Sequence, residues 1–430
     1  MNDSRLWTAP GGAAAAGTPL APDAESAAQP LTQLGLRRLR LIDRPLLAIV
    51  VALLLFGLVT VFSASTPLAI DSYQDATAFL KRQLVWLLVG AAAGLTASSI
   101  DYRIWQRWSV VGLMGSIGLL LLMLPFGHAS NGSQRWAVAS MGGGSIQPSE
   151  VAKLAVIIYL ADWLSSKREE IRDITMGLIP FSLIIGLVCG LIVLEKHLST
   201  AVLIAVVASW MFFTAGAHLG QMLAVGGLAG GVAALLVAIE PYRMKRITGF
   251  LDPLADRFGS GYQIDLSIRS FVGGSLSGLG LGRGELKQRL PAAHTDAIFA
   301  VIGEELGLLG ALVVLALFSF LVWRGLKIAA GAPDRFSCLL ATGITCWIAS
   351  QALLNMAVAT GSIPPTGISL PLISYGGSNL VTTMLGIGIL MSVSRRTDLT
   401  QSTLYAHLDL RRGQRRARLS RAHRARRIGP

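Results

Sequence analysis

Residues 45–64 read PLLAIVVALLLFGLVTVFSA, twenty residues without a charged side chain. A hydrocarbon core about 30 Å thick takes about 20 residues of helix, so this stretch predicts a membrane span. Nine further runs of similar character follow, at about 82–99, 108–126, 147–165, 174–194, 198–215, 219–239, 297–323, 335–360 and 370–394. The break between the fifth and sixth rests only on the polar cluster Glu195-Lys196-His197. Ten such runs predict an all-α polytopic membrane protein with ten transmembrane helices. Composition agrees, because 53% hydrophobic and 14% charged residues over 430 positions, with a mean hydropathy of +0.59, are too apolar for a soluble domain.

Outward from that core lie two tails. Residues 1–44 begin Ala/Gly/Pro-rich, with too little apolar surface to offset their ordering entropy, and end in Arg37, Arg38, Arg40 and Arg44. They read as a disordered basic cytoplasmic tail, and no signal peptide precedes the first run, which is then an uncleaved span. Residues 395–430 form an Arg-rich tail. It carries much of the net charge of +13 in the run Arg411 to Arg427, placed to touch anionic membrane lipids rather than nucleic acid. Cys189, Cys338 and Cys346 fall in apolar runs without CxxC spacing, so neither a disulfide framework nor a zinc site is indicated.

Short loops holding Arg103 and Arg107, then Lys167, Arg168 and Arg172, then Arg324, Lys327 and Arg335 fall on one side. Such bias marks the cytoplasm, and an even number of spans puts both termini there. The long segment 240–296, between the seventh and eighth spans, is then a large extracytoplasmic loop. Its cations include Arg243, Lys245 and Arg246. They either balance acidic neighbours such as Glu240 and Asp252 or form a surface for an anionic headgroup, to which Arg and Lys are suited.

Asp296 ends that loop just before the eighth apolar run. One reading makes it or Thr295 a helix cap; the other makes it a carboxylate at the lipid–water boundary able to take a proton from a hydroxyl. Glu304 and Glu305 follow within the run, expected about 12–14 Å deeper along one helix. Burial there demands a partner cation or a wet cavity, and Lys153, Arg135 and Lys196 are the candidates. Glu150 and Lys153 are three apart and share a helix face. Residues 361–378 (GSIPPTGISLPLISYGGS) are too broken for regular helix. They form a re-entrant turn or line a polar groove, where Ser374, Tyr375 and Ser378 offer hydroxyls to a sugar or phosphate. No P-loop, zinc or dinucleotide motif is present, so nucleotide-driven chemistry is not supported and the substrate must itself be energised.

These residues also carry a resemblance. Phe62-Ser63-Ala64-Ser65, Arg135-Trp136, Gln147-Pro148-Ser149-Glu150 with Lys153, Glu240-Pro241-Tyr242-Arg243 and Gly259-Ser260-Gly261-Tyr262-Gln263 contribute to it. So do His294-Thr295-Asp296 through Glu304-Glu305-Leu306-Gly307, and Leu370-Pro371 through Ser378. Together they make residues 43–395 resemble the SEDS family (shape, elongation, division and sporulation), in its division and sporulation branch. The resemblance implies a ten-helix peptidoglycan glycosyltransferase of the bacterial inner membrane. Its substrates would be lipid II and the nascent glycan strand, and its partners a class B penicillin-binding transpeptidase and other division-machinery membrane proteins at the septum. It implies Asp296 as the essential acid, with Arg243, Lys153 and Glu150 also on motif positions. One departure stands out: many members have Gln-Pro-Asp-Leu-Gly where this chain has Glu195-Lys196-His197-Leu198-Ser199-Thr200, which leaves the roles of His197 and Lys196 open.

The expected chemistry is attack of an acceptor hydroxyl on an undecaprenyl-pyrophosphate-linked donor, with Asp296 taking the proton. Arg243, Lys245 or Arg246, with or without a divalent cation such as Mg or Mn, would counter the leaving charge. A lipid II flippase and a non-catalytic division scaffold are the competing readings. The orientation itself is testable: a Cys introduced at Ser260 should react with an impermeant thiol reagent in intact cells, and labelling only after permeabilisation would invert the topology.

Overall fold

The computed structural model describes residues 43–396 except 127, 131–132, 139–144, 168, 254–258 and 260. Both tails, 1–42 and 397–430, lie outside the described residues, as do the side chains of 125–146 and therefore that of Arg135.

The described chain is overwhelmingly helical. Helix α1 (Arg44–Tyr73) is capped by Asp43, whose carboxylate accepts the Leu46 N–H at 3.1 Å. Then come α2 (Ala78–Ser99), the short α3 (Tyr102–Arg107) and α4 (Ser109–Phe126). A three-stranded antiparallel patch, β1 (His128–Ser130), β2 (Ser133–Val138) and β3 (Ser145–Ile146), precedes α5 (Pro148–Ser166). A π turn over Ile174–Leu178 leads into α6 (Ile179–Leu194), followed by α7 (Leu198–Thr214) and α8 (Leu219–Ile239). The 240–296 segment carries α9 (Pro241–Leu251) and α10 (Tyr262–Gly274); α11 (Ile298–Glu305), α12 (Gly307–Ala330), α13 (Arg335–Ala359) and α14 (Gly377–Arg396) complete the chain.

Among the described residues seven helices are long and apolar enough to cross a membrane, and Ser109–Leu124 and Leu198–Thr214 are shorter apolar ones. Helix α5 has 19 residues but carries Glu150, Lys153 and Asp162. The polar cluster between the fifth and sixth apolar runs does separate two helices, with Lys196 in the left-handed region at φ 61°. The core is centred on α13, which packs on α5, α7 and α12 and buries Trp347 at 1% exposure.

Polar contacts gather at one end of the bundle. Arg324 forks onto Asp43 at 2.7–3.0 Å, and Ser394 donates to the same carboxylate at 2.9 Å. Tyr102 donates to Asp334 at 2.5 Å, Arg396 pairs with Asp101, and Arg335 donates to the Ala215 carbonyl at 2.6 Å. Segments distant in sequence thus meet through these contacts.

Two expectations are corrected. The tenth run starts its helix at Gly377, not near 370. The eighth is broken at Leu306–Gly307, so Glu304 and Glu305 end a short α11 instead of lying along one continuous helix. A broken helix leaves four orphan backbone groups at each new end. Here the chain 275–280 lies across the break. Leu279 and Gly280 N–H donate to the carbonyls of Glu304 and Glu305 at 3.1 and 2.9 Å, and Leu308 and Leu309 N–H donate to those of Ser275 and Leu276 at 2.9 and 3.1 Å.

Gly307 makes that crossing possible, at φ 67° and with a Cβ there falling 2.6 Å from the Leu276 carbonyl. Gly307→Ala should therefore lower stability by about 1–3 kcal/mol or more, read as a drop in the tryptophan-fluorescence melting temperature in detergent. Gly186→Ala, where a Cβ meets nothing within 4 Å, should not lower it; equal behaviour of the two variants would refute the account.

Candidate functional site

One wall of the site is built by α5, which Pro148 starts in its first turn. Three residues apart, Glu150 and Lys153 point the same way and pair at 2.8 Å, both buried. The pair is more than local. Lys153 also donates to Gln351 Oε1 at 2.9 Å and lies 5.3 Å from the centroid of the Trp347 ring. Gln351 Oε1 accepts from Trp347 as well, at 2.8 Å, while its amide donates to the Ser369 carbonyl (3.1 Å) and Asn379 (3.0 Å). One amide thus ties a buried ion pair to the irregular segment 361–376.

The same wall continues through His197, just before α7, whose Nδ1 lies 2.7 Å from Thr200 Oγ1 and 3.4 Å from Gln147 Nε2. The Gln147 backbone N–H donates to Ser378 Oγ at 3.1 Å.

The facing wall is residues 294–296 laid against the irregular segment. Three successive carbonyls are held: His294 by the Tyr375 N–H at 2.9 Å, Thr295 by Ser374 Oγ at 2.6 Å, and Asp296 by Asn355 Nδ2 at 2.8 Å. With its backbone fixed, Asp296 lines a cavity of about 310 Å³ together with Glu150, Lys153, His197, Tyr375 and Ser378. Gly367, at φ 70°, also lines it, and a Cβ there would sit 3.5 Å from Asp296 Oδ2. The N-cap of α11 is Ala297, which makes no side-chain cap bond, so Asp296 sits one residue before the cap position.

Other candidates are placed differently. Ser374 does not line the cavity; its hydroxyl is engaged by the Thr295 carbonyl and by the Leu370 N–H at 2.8 Å. Arg243, Lys245 and Arg246 ride on α9 outside the cavity lining. Arg243 donates to the Leu236 carbonyl and Arg246 to that of Pro365, both at 3.1 Å. The cation beside Glu305 is Lys287, at 2.6 Å, not one of the three expected partners.

Gln351 and Asn379 also line the cavity, and an amide inside an apolar run is itself a signal of such a place. Trp86 lines the cavity as well, and nothing local in the sequence distinguishes it. Burial pushes the Glu195 carboxyl up to about 7. Burial also pushes the His294 imidazole down to about 4, its ring packed between Phe79 (4.9 Å) and Tyr375 (5.5 Å). Among the described residues no group of three or more His, Cys, Asp or Glu is arranged to hold a metal ion.

Residues 44–399 match the FtsW–RodA–SpoVE family of cell cycle proteins. The chain is 41% identical over 369 residues to a probable peptidoglycan glycosyltransferase FtsW of Trichlorobacter lovleyi, covering 85% of this chain and 96% of that one. It is 41% identical over 358 residues to stage V sporulation protein E of Bacillus subtilis, covering 82% and 97%. Among solved structures it is similar to a chain from a peptidoglycan synthase complex that coordinates polymerization and crosslinking, with a TM-score of 0.69, 27% identity and coverage of 83% and 98%. The crystal structure of the Thermus thermophilus rod shape determining protein RodA matches with a TM-score of 0.62, 27% identity and coverage of 82% and 97%.

The His294 environment sets a pH dependence. Its ordinary value of 6.5 falls to about 4 in the fold, so between these values the unfolded chain binds the proton more readily. Stability from this site is present above pH about 6.5 and lost as pH falls toward about 4. His294→Phe keeps the ring packing and removes the titration. Its melting temperature should fall less than that of the wild type between pH 7 and pH 5; identical slopes would disprove the assignment.

Proposed function

The chain belongs to the FtsW–RodA–SpoVE family of cell cycle proteins and is a peptidoglycan glycosyltransferase, and from that premise we propose that it polymerises lipid II with Asp296 as the general base. The observation that carries the reading is the shared cavity: the Asp296 carboxylate opens on the space bounded by the Glu150–Lys153 pair and the hydroxyl-bearing residues Tyr375 and Ser378.

In the proposed reaction the acceptor sugar's 4-hydroxyl attacks the anomeric carbon of the undecaprenyl-pyrophosphate-linked donor from the face opposite the leaving group. A C–O bond forms as the bond to pyrophosphate breaks, the leaving oxygen keeps the electron pair, and the hydroxyl proton passes to Asp296. The carbonyl bonds from Asn355, Ser374 and Tyr375 hold the Asp296 backbone before substrate arrives, so little reorganisation is left to the reaction step. Lys153 supplies positive charge within the cavity. Arg246, anchored on the Pro365 carbonyl, supplies it on the segment leading in, with Arg243 and Lys245 on the same short helix. Each favours a developing pyrophosphate anion.

The proposed membrane arrangement counts ten spans: the seven long apolar helices, the two shorter ones and α5. Segment 240–296 then lies outside, both termini lie in the cytoplasm of a bacterial inner membrane, and the cavity opens toward the outer face. Work at the division septum with a class B penicillin-binding transpeptidase and other division proteins completes the proposal. The likeness to a chain from a peptidoglycan synthase complex supports the transpeptidase.

Asp296→Asn keeps the volume and the backbone contacts but removes the basic carboxylate. Polymer formation from purified lipid II should fall on the order of 10²–10⁴-fold at matched amounts of folded protein. Near-wild-type polymerisation would remove Asp296 from the chemistry. A flippase predicts instead that lipid II transport is lost on substitution at Lys153 and Glu304 with Asp296 dispensable, and a scaffold that all three substitutions are tolerated.

A further inference from the structure

Two buried carboxylates take no part in this chemistry. Glu304 and Glu305 are each 2% exposed at the end of α11, and a charge held away from water needs close partners. Lys287 Nζ reaches Glu305 at 2.6 Å and also donates to Ser63 Oγ and the Gly282 carbonyl, both at 3.1 Å. Ser63 Oγ, on α1, lies 2.7 and 2.6 Å from the two Glu305 oxygens. Glu304 Oε1 accepts the N–H groups of Glu285 and Leu286 at 2.8 and 2.9 Å. The end of α11 is therefore bolted to the 282–287 loop by two carboxylates and to α1 by one hydroxyl.

The other end of α11 starts at Ile298, two residues beyond Asp296. Helix α11 has eight residues, all buried, which makes it a rod about 12 Å long. A rod this short and this closely packed has no slack: a shift where Glu305 sits is passed to the segment carrying Asp296. Buried ion pairs are poor stabilisers compared with apolar side chains of the same volume. The chain 275–280 is moreover already held across the helix break by four backbone bonds. Stability alone does not account for the lock.

We infer that Lys287, Glu305 and Ser63 are positioning residues for glycosyl transfer: they fix α11 against α1 and, through α11, set the Asp296 carboxylate in the cavity. The inference rests on the reading of Asp296 as the base.

The test replaces the ion pair by apolar groups of similar size, Lys287→Met with Glu305→Leu, so that no unpaired charge is left buried. Ser63→Ala separately removes only the hydroxyl. Both are assayed as full-length purified protein at matched folded amounts, by polymerisation of purified lipid II over a range of concentrations. A misplacement of about 1 Å costs on the order of 10²-fold, so kcat of the double variant should fall by that order while KM changes by no more than about twofold. Ser63→Ala should fall on the order of 10-fold in kcat, and Ser63→Thr, which restores a hydroxyl, should recover most of the loss.

Unchanged kcat in Ser63→Ala and the double variant, or a rise in KM without a fall in kcat, overturns the lock. If the double variant does not fold, the Ser63 pair of variants decides alone. Asp296→Asn measured alongside separates the two claims. An active Asp296→Asn overturns the reading of the base and with it the target of the lock, whereas an inactive Asp296→Asn beside fully active lock variants overturns the lock alone.

Discussion

Three consecutive carbonyls, those of His294, Thr295 and Asp296, are each taken by a donor from elsewhere in the chain: the Tyr375 N–H, the Ser374 hydroxyl and the Asn355 amide. Backbone that leaves the helix inside an apolar bundle has no water to fall back on, so its polar groups must be met by protein. Residues 292–297 and 361–376 are both such backbone, and each is the other's partner. Asn355 extends the arrangement by donating to the Ile368 carbonyl at 2.7 Å. The cavity exists because these two irregular segments solve their hydrogen bonding together and leave a space between themselves and α5.

Charge follows the same logic. Glu150 with Lys153, Glu305 with Lys287 and Asp43 with Arg324 are ion pairs in or against the bundle, and in each the acid is buried. Leaving one partner alone in such a place costs about 3–5 kcal/mol, so each pair fixes the elements that carry it. The first ties α5 to α13 through Gln351, the second ties α11 to α1 through Ser63, and the third ties α1 to α12. Asp296 lies at the start of α11 and faces α5 across the cavity, so two of the three pairs bear on where its carboxylate sits. In the transfer between sugars proposed above, geometry and local electrostatics supply the catalysis.

The apolar runs settled the class of the protein, because about 20 uncharged residues have few other places to be. Local chemistry was equally legible: Glu150 and Lys153 meet because i and i+3 share a helix face, and residues 361–378 announce irregular backbone through their prolines and glycines. The motif stretches led to the family. What the sequence did not disclose was where runs stop being helix. The eighth looked continuous because the break at Leu306–Gly307 is stabilised by residues 275–280, which no local pattern assigns to it.

Partners across long separations were illegible for the same reason. Ser63 and Glu305 are 242 residues apart, and Asn355 reaches a carbonyl 59 residues away; only packing brings such groups within 3 Å. The sequence offered cations for the buried acids by type but not by place: the partner of Glu305 is Lys287, and Arg243, Lys245 and Arg246 lie on α9 outside the cavity lining. His197, in doubt from its departing motif, proved to be cavity wall. By itself the sequence determined a helical membrane protein, which follows from local composition, and its motif stretches carried the family resemblance that implies Asp296 as the acid. Tertiary structure alone decided the broken helix, the pairing of each buried charge and the set of side chains around Asp296, because those depend on which distant backbone is there to meet each polar group.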